Sequence, residues 1–179
     1  MSNPPQEVYF NERNTVIDYI NSIIANNRLV IIGIDGINGT GKTNLAYYLA
    51  ADLKFGLISL DCFLVHKLDC YLKALNSGLL MQKLLQLKNK SFIIEGCCLL
   101  DVARIFDIQP NIFIYCKEIS KLGHNAELWH YGNNFDEYAN NNYKQSITGF
   151  EKEIYDYHAR MRPWEQAHII YKLINQEKK

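Results

Sequence analysis

The 179-residue chain has no apolar run of membrane-spanning length, no C-x-x-C pair and no excess of either charge. Each absence removes a class of protein. A bilayer-crossing helix needs roughly 20 consecutive apolar residues, so no membrane partner is expected. Lys plus Arg and Asp plus Glu both number 19. A formal net charge of zero gives no broad pull toward nucleic acid, leaving only a local basic patch open. The five cysteines (62, 70, 97, 98 and 116) are odd in number and include an adjacent pair. They suit free thiols in a reducing cytosol better than a disulfide frame or a zinc site, and a cytoplasmic location is expected. The start, Met-Ser-Asn-Pro-Pro-Gln-Glu, lacks a basic stretch followed by an apolar one, so a secretory signal is not expected.

What is present is ordinary globular composition, 48% apolar and 21% charged, at a length that suits a single domain over residues 1–179. The informative stretch is Leu29 to Thr43. Six almost wholly aliphatic residues run into Gly36-Ile37-Asn38-Gly39-Thr40-Gly41-Lys42-Thr43, which satisfies G-x-x-x-x-G-K-[ST]. The glycines let backbone N–H groups close on phosphate oxygens. The Lys42 ammonium reaches the β- and γ-phosphates, the Thr43 hydroxyl binds Mg²⁺, and the helix beginning there points its positive end at the anion. The flanks fit: an aliphatic strand precedes the loop, and Ala46, Leu49, Ala50 and Leu53 follow at helical spacing. We therefore take Gly36 through Thr43, with Asn44, as the nucleotide-binding set, and ATP with Mg²⁺ as the expected ligands.

Along the rest of the chain, residues 1–6 are expected to be loose, and 8–26 carry an apolar helical face at Val16, Ile17, Ile20, Ile23 and Ile24. Strands are expected at 29–35, 57–60, 92–94, 111–116 and 169–173. Helices are expected after the loop as far as Lys54 with Gly56 as the stop, over 68–88 with a break at Asn76-Ser77-Gly78, and from Phe150 to Pro163. Residues 117–148 are rich in Asn and Gly and read as a mobile, lid-like loop. Alternating strands and helices predict a parallel sheet covered on both faces.

Asp61 follows the second strand, where open α/β sheets place ligands, and a hydroxyl acceptor needs a carboxylate in reach to take its proton. Glu95 follows the third strand, where a carboxylate can serve the Mg²⁺ shell. Asp35 reads as loop structure, since its carboxylate can hold the loop's own N–H groups. The base-reading Asn-Lys-x-Asp of GTPases and the Leu-Ser-Gly-Gly of transporter ATPases are both missing, and the chain is short for the oligomeric ATPases. Mostly small-molecule kinases remain.

Four segments, in order, resemble the uridine kinase-like P-loop phosphotransferases. They are Ile32 to Thr43, Ile58-Ser-Leu-Asp61-Cys-Phe63, Ile93-Ile-Glu95-Gly96, and Tyr157-His158 with Pro163 and Ala167-His168-Ile169-Ile170. The resemblance implies a three-layer α/β fold with a mostly parallel five-stranded sheet, order 2-3-1-4-5. It also implies that Asp61 is the catalytic base working with Lys42, that Thr43 and Glu95 serve the metal, and that arginines in the lid clamp the transferred phosphoryl group. Residues 117–148 contain no arginine. Lys121, Arg160 and Arg162 are the candidates for that clamp. The expected activity is ATP- and Mg²⁺-dependent phosphorylation of a hydroxyl on a small molecule, with a nucleoside as first expectation. A sugar, vitamin-precursor or nucleoside monophosphate kinase, or a nucleotide-binding regulatory module, are the alternatives. A pocket lined by 61–75 and 99–104 would set the acceptor, and Phe63, Tyr71 or Trp129 would stack a base. Oligomeric state is left open.

Overall fold

The computed structural model describes residues 6–9, 12–24, 29–65, 70–122, 126–129, 135, 139 and 147–174, with backbone alone at 121–122 and 126–128. Seven strands form one sheet: β1 (Gln6–Tyr9), β2 (Ile31–Asp35), β3 (Gly56–Ser59), β4 (Phe92–Gly96), β5 (Ile112–Leu122), β6 (Ala126–Trp129) and β7 (Ile169–Ile174). The order across the sheet is β3-β4-β2-β5-β7-β1, with β6 hanging antiparallel from β5 and every other pairing parallel. The α/β class with a parallel sheet is as expected; the five-strand count and the complete order are not. The added strands are β1 and β6. β1 was absorbed into the helical pattern because only Val8 of its four residues is buried, so it has no apolar run to announce it. The strand β5 runs on past Cys116 through polar residues in which only Ile119 and Ser120 are buried, then pairs with β6. The loop reading is corrected accordingly at 117–122 and 126–129, and the expected looseness of 1–6 is corrected at Gln6, which opens β1. Most of the lid-like stretch that follows, and residues 1–5, lie outside the described residues.

Helices α1 (Arg13–Ile24), α2 (Lys42–Leu53), α3 (Tyr71–Ala74), α4 (Ser77–Leu87), α5 (Leu99–Ile105) and α6 (Gly149–Met161) cover the sheet. The helix expected over 8–26 is shortened to α1, because a turn closed by Glu12 N–H on the Tyr9 carbonyl at 2.8 Å separates it from β1. Helix α2 stops at Lys54 in the left-handed region, φ 56°, two residues before the glycine expected to end it. The break at 76–78 is the start of α4, where the Asn76 side chain accepts the Leu79 N–H at 3.1 Å.

Strand side chains alternate between two cores, as a sheet buried on both faces requires. Ile32, Ile34, Ile93, Ile112 and Ile114 pack with Val16, Ile17 and Ile20 of α1 and Leu45, Ala46 and Leu49 of α2. Phe92, Ile94, Phe113 and Tyr115 face the other way, into Leu80, Leu99, Val102, Ile154 and Tyr157 from α4, α5 and α6. Register then fixes the site. Asp35 lies opposite Gly96 on one side and Tyr115 on the other, and Ser59 lies opposite Glu95. Four strand ends thus bring their polar residues to one edge. Among the described residues, no helix is long and apolar enough to cross a membrane.

Candidate active site

The loop between β2 and α2 is shaped by its glycines. Gly36 has φ +152°, and a Cβ there would lie 2.6 Å from the Cys116 carbonyl oxygen and 2.8 Å from Thr40 Oγ1. Gly41 caps α2 from the left-handed region, φ 81°, with no side chain bonding the first-turn N–H groups. Those donors, aligned with the helix dipole, are left for an anion. The Thr40 hydroxyl donates to the Ile37 carbonyl at 2.8 Å and Lys42 Nζ donates to the same oxygen at 3.3 Å, so the loop folds around its lysine. Gly39, Gly41, Lys42, Thr43 and Asn44 line a cavity of about 230 Å³. Of the nucleotide-binding residues expected from the sequence, five share this cavity, while Ile37 and Asn38 line a second one.

Lys42 is only 5% exposed. Burial works against its charge, but Cys97, Glu95, Asp61 and Cys116 around it outweigh that, and its pKa lies above the ordinary value. Burial pushes the Cys97 thiol up to about 12, so it is neutral near pH 7 and the carboxylates carry the attraction. Cys97 donates weakly to the Gly36 carbonyl and to Asn38 Oδ1, each at 3.4 Å, and Cys97 and Cys98 are buried free thiols that pack rather than react.

Glu95 ends β4 fully buried. It accepts from the Thr43 hydroxyl at 3.3 Å on each oxygen and from the Ser59 hydroxyl. Burial raises its pKa, while Ser59, Lys42 and Thr43 oppose the shift. A hydroxyl and a carboxylate in contact are hard oxygen donors of the kind Mg²⁺ takes. Among the described residues no cluster of three or more His, Cys, Asp or Glu can hold a metal by itself. That is the usual arrangement where phosphates and water complete the Mg²⁺ shell. Thr43 and Glu95 fit the ion on these grounds. Sequence reasoning missed Ser59, whose only signal is its place one strand across from Glu95.

Asp35 lies under the loop, 0% exposed. Its Oδ1 accepts the Gly36 N–H at 2.7 Å, the loop-holding part read from the sequence. Its Oδ2 accepts from the Tyr157 hydroxyl of α6, which in turn accepts the Leu100 N–H at 3.2 Å. Burial raises the Asp35 pKa to about 6, against the pull of Tyr157, the Gly36 N–H and Lys42.

Asp61 sits in a single 3₁₀ turn, Leu60–Phe63, just past β3 rather than on the strand itself. The buried Tyr71 hydroxyl donates to its Oδ1 at 3.0 Å. The second cavity, about 170 Å³, is lined by Ile37, Asn38, Phe135, Phe150, Glu151, Ile154 and Tyr155. Its Phe150 ring lies 5.4 Å from the Tyr71 ring, centroid to centroid. Of the cavity's lining residues, Phe150, Glu151, Ile154 and Tyr155 belong to the first half of α6, and none comes from 61–75 or 99–104, where the acceptor pocket is expected from the sequence. Of the aromatics expected to stack a base, Tyr71 is committed to Asp61, and Trp129 packs edge-on with Phe135, Trp164 and Tyr115.

The clamp candidates lie apart from the loop's own contacts. Arg160 holds Asp101 through two bonds, 2.6 and 3.2 Å. Arg162 bonds Glu165 at 2.6 Å and lies over the Trp164 ring. Lys121 pairs through its backbone with Glu127 in the β5–β6 hairpin, and its side chain lies outside the described residues. His168, standing where the resemblance has Asp, accepts the Phe113 N–H on Nδ1 at 3.0 Å and joins β5 to β7.

The α/β fold, with this glycine-rich loop between β2 and α2, is similar to that of a solved structure. A structure described as "a Possible Uridine Kinase from Bacillus stearothermophilus" superposes with a TM-score of 0.53 at 17% identity, covering 89% of this chain and 99% of that one. A second, described as "a putative kinase from chloroflexus aurantiacus j-10-fl", gives a TM-score of 0.45 at 16% identity over 82% and 85% of the two chains. At 17% identity the first of these speaks for the fold alone. No protein-family model matches the chain, and no curated protein matches it by sequence.

Proposed function

We propose that this protein transfers the γ-phosphoryl group of ATP to a hydroxyl of a small molecule, with a nucleoside as the acceptor class. The observation that carries the reading is the meeting of Lys42, Thr43, Glu95 and Asp61 at the ends of β2, β3 and β4, beside two adjoining cavities. In phosphoryl transfer a protein mainly positions groups and neutralises charge. The loop N–H groups and Lys42 hold the triphosphate. Asp61 takes the proton of the attacking hydroxyl. The aromatic cavity against Ile37 and Asn38 holds the body of the acceptor and keeps water from the transfer. Thr43 and Glu95 would hold Mg²⁺, which when bound would neutralise phosphate charge.

One observation favours a second reading, a nucleotide-binding module with little turnover: Arg160 and Arg162 are held by Asp101 and Glu165. An arginine fork is the usual clamp for a phosphoryl group, and release of Arg160 from Asp101 would be needed before it served as one. The test is an ATP-consumption screen over nucleosides, sugars and monophosphates, with Lys42→Ala as the blank. Phosphorylation of any acceptor above that blank supports the kinase. Binding of ATP·Mg²⁺ with no product from any acceptor puts the binding module in its place.

A further inference from the structure

We infer that Tyr71 is a positioning residue for Asp61, and that Glu153 of α6 holds Tyr71 in place. The assignment of Asp61 as base rests on the kinase reading; the hydrogen-bonded link does not.

Asp61 needs such help because of where it sits. It is an exposed residue on a one-turn segment, and among the described residues its side chain accepts one hydrogen bond, from Tyr71. A short carboxylate on an exposed turn samples several rotamers, and fixing one costs entropy that a buried partner offsets. Tyr71 is that partner. It is 1% exposed, and its hydroxyl fits into room left by Gly96, where a Cβ would lie 2.6 Å from the phenol oxygen. Burial and the neighbouring Asp61 charge raise the Tyr71 pKa far above the ordinary range, so the group stays a donor at any neutral pH. With Oδ1 engaged by the phenol, Oδ2 is left for the acceptor's proton.

Tyr71 depends in turn on α6. It opens α3, a helix of four residues that cannot hold itself by its own hydrogen bonds. Cys70 before it offers no side-chain cap. The Glu153 carboxylate fills that place, accepting the Tyr71 N–H on one oxygen and the Leu72 N–H on the other, the latter at 3.1 Å. Behind α3 the chain is closed onto the Asp61 turn by Val65 N–H on the Ala74 carbonyl at 2.7 Å and Asn76 N–H on the Phe63 carbonyl at 2.8 Å. One turn further along α6, Tyr157 holds Asp35. A single helix face therefore reaches Asp61 through α3 and the glycine-rich loop through Asp35, as residues four apart share a face.

The test compares wild type, Tyr71→Phe, Asp61→Asn, the double variant and Glu153→Ala. Tyr71→Phe keeps the ring and removes only the donor, so ATP·Mg²⁺ affinity is unchanged. Its kcat falls about tenfold, the scale of one hydrogen bond to a charged group, while KM for ATP holds. In the Asp61→Asn background the same substitution lowers the residual rate no further. Glu153→Ala follows Tyr71→Phe in direction. Unchanged kcat in Tyr71→Phe, or an equal loss with and without Asp61, overturns the inference. If wild type phosphorylates no acceptor, the kinase reading fails and the link is judged by urea unfolding. Non-additive losses for Tyr71→Phe and Asp61→Ala, which removes the accepting oxygen, then uphold the link, and additive ones overturn it.

Discussion

Replacing Asp35 by Asn isolates the cost of keeping a charge under the phosphate loop. In the folded chain burial raises the Asp35 pKa from 3.8 to about 6. The folded state therefore binds this proton more tightly than the unfolded one. Between about pH 4 and pH 6 folded chains carry more protons than unfolded ones, and stability falls as pH rises through that window. Two pKa units at about 1.36 kcal/mol each make the loss about 3 kcal/mol by pH 7. Asn cannot ionise, so Asp35→Asn lacks this slope. Its amide oxygen still accepts the Gly36 N–H, while its NH₂ leaves the Tyr157 hydroxyl proton without its present acceptor. That second effect costs about 1–2 kcal/mol and does not vary with pH. The quantity to measure is thus a difference of differences: unfolding free energy of variant minus wild type, from urea curves, at pH 4 and at pH 7. All other titrating groups are shared and cancel. The variant is expected to gain about 2.4 kcal/mol on wild type between the two pH values, since part of the loss has already occurred at pH 4. Parallel stability curves would refute the reasoning, since Asp35 would then titrate alike in the folded and unfolded chain.

Other predictions follow from the loop and the carboxylates. ATP with Mg²⁺ at a hundred times its dissociation constant should add about 2.7 kcal/mol of stability, read as a rise in melting temperature. Lys42→Ala should lose most of that rise, and a flat response in wild type at millimolar nucleotide would count against the site. Asp61→Asn should bind nucleotide nearly as wild type while kcat drops about 10²-fold or more, measured once an acceptor is known. Gly36→Ala should lose about 1–3 kcal/mol of stability and most nucleotide binding, because its Cβ meets the Cys116 carbonyl and Thr40 Oγ1; unchanged urea midpoints would show that the loop tolerates the methyl group.

The sequence by itself determined the phosphate loop, the strands that present it and the parallel α/β class. The reason is locality. Gly36 through Thr43 form the glycine-rich loop in eight contiguous residues, and a strand such as Ile31–Asp35, buried on both faces, is largely aliphatic up to its terminal Asp. Lys42, Thr43, Glu95 and Asp61 stood out because each follows or opens such an element. Only the tertiary structure decided what surrounds them. Tyr157 and Asp35 are 122 residues apart, and Glu153 and Tyr71 are 82 apart. A glutamate or tyrosine on an amphipathic helix looks alike whether it meets solvent or a buried carboxylate. The strands β1 and β6 escaped for a related reason: each is only four residues long, and β1 buries a single side chain, so neither leaves a period to read. The cavity beside Ile37 and Asn38 escaped as well, because Ile37, Phe150 and Ile154 meet only once α6 has packed against the loop. Hydrophobic pattern fixes which face of an element is buried; which polar groups then meet across the sheet is set by how the layers close.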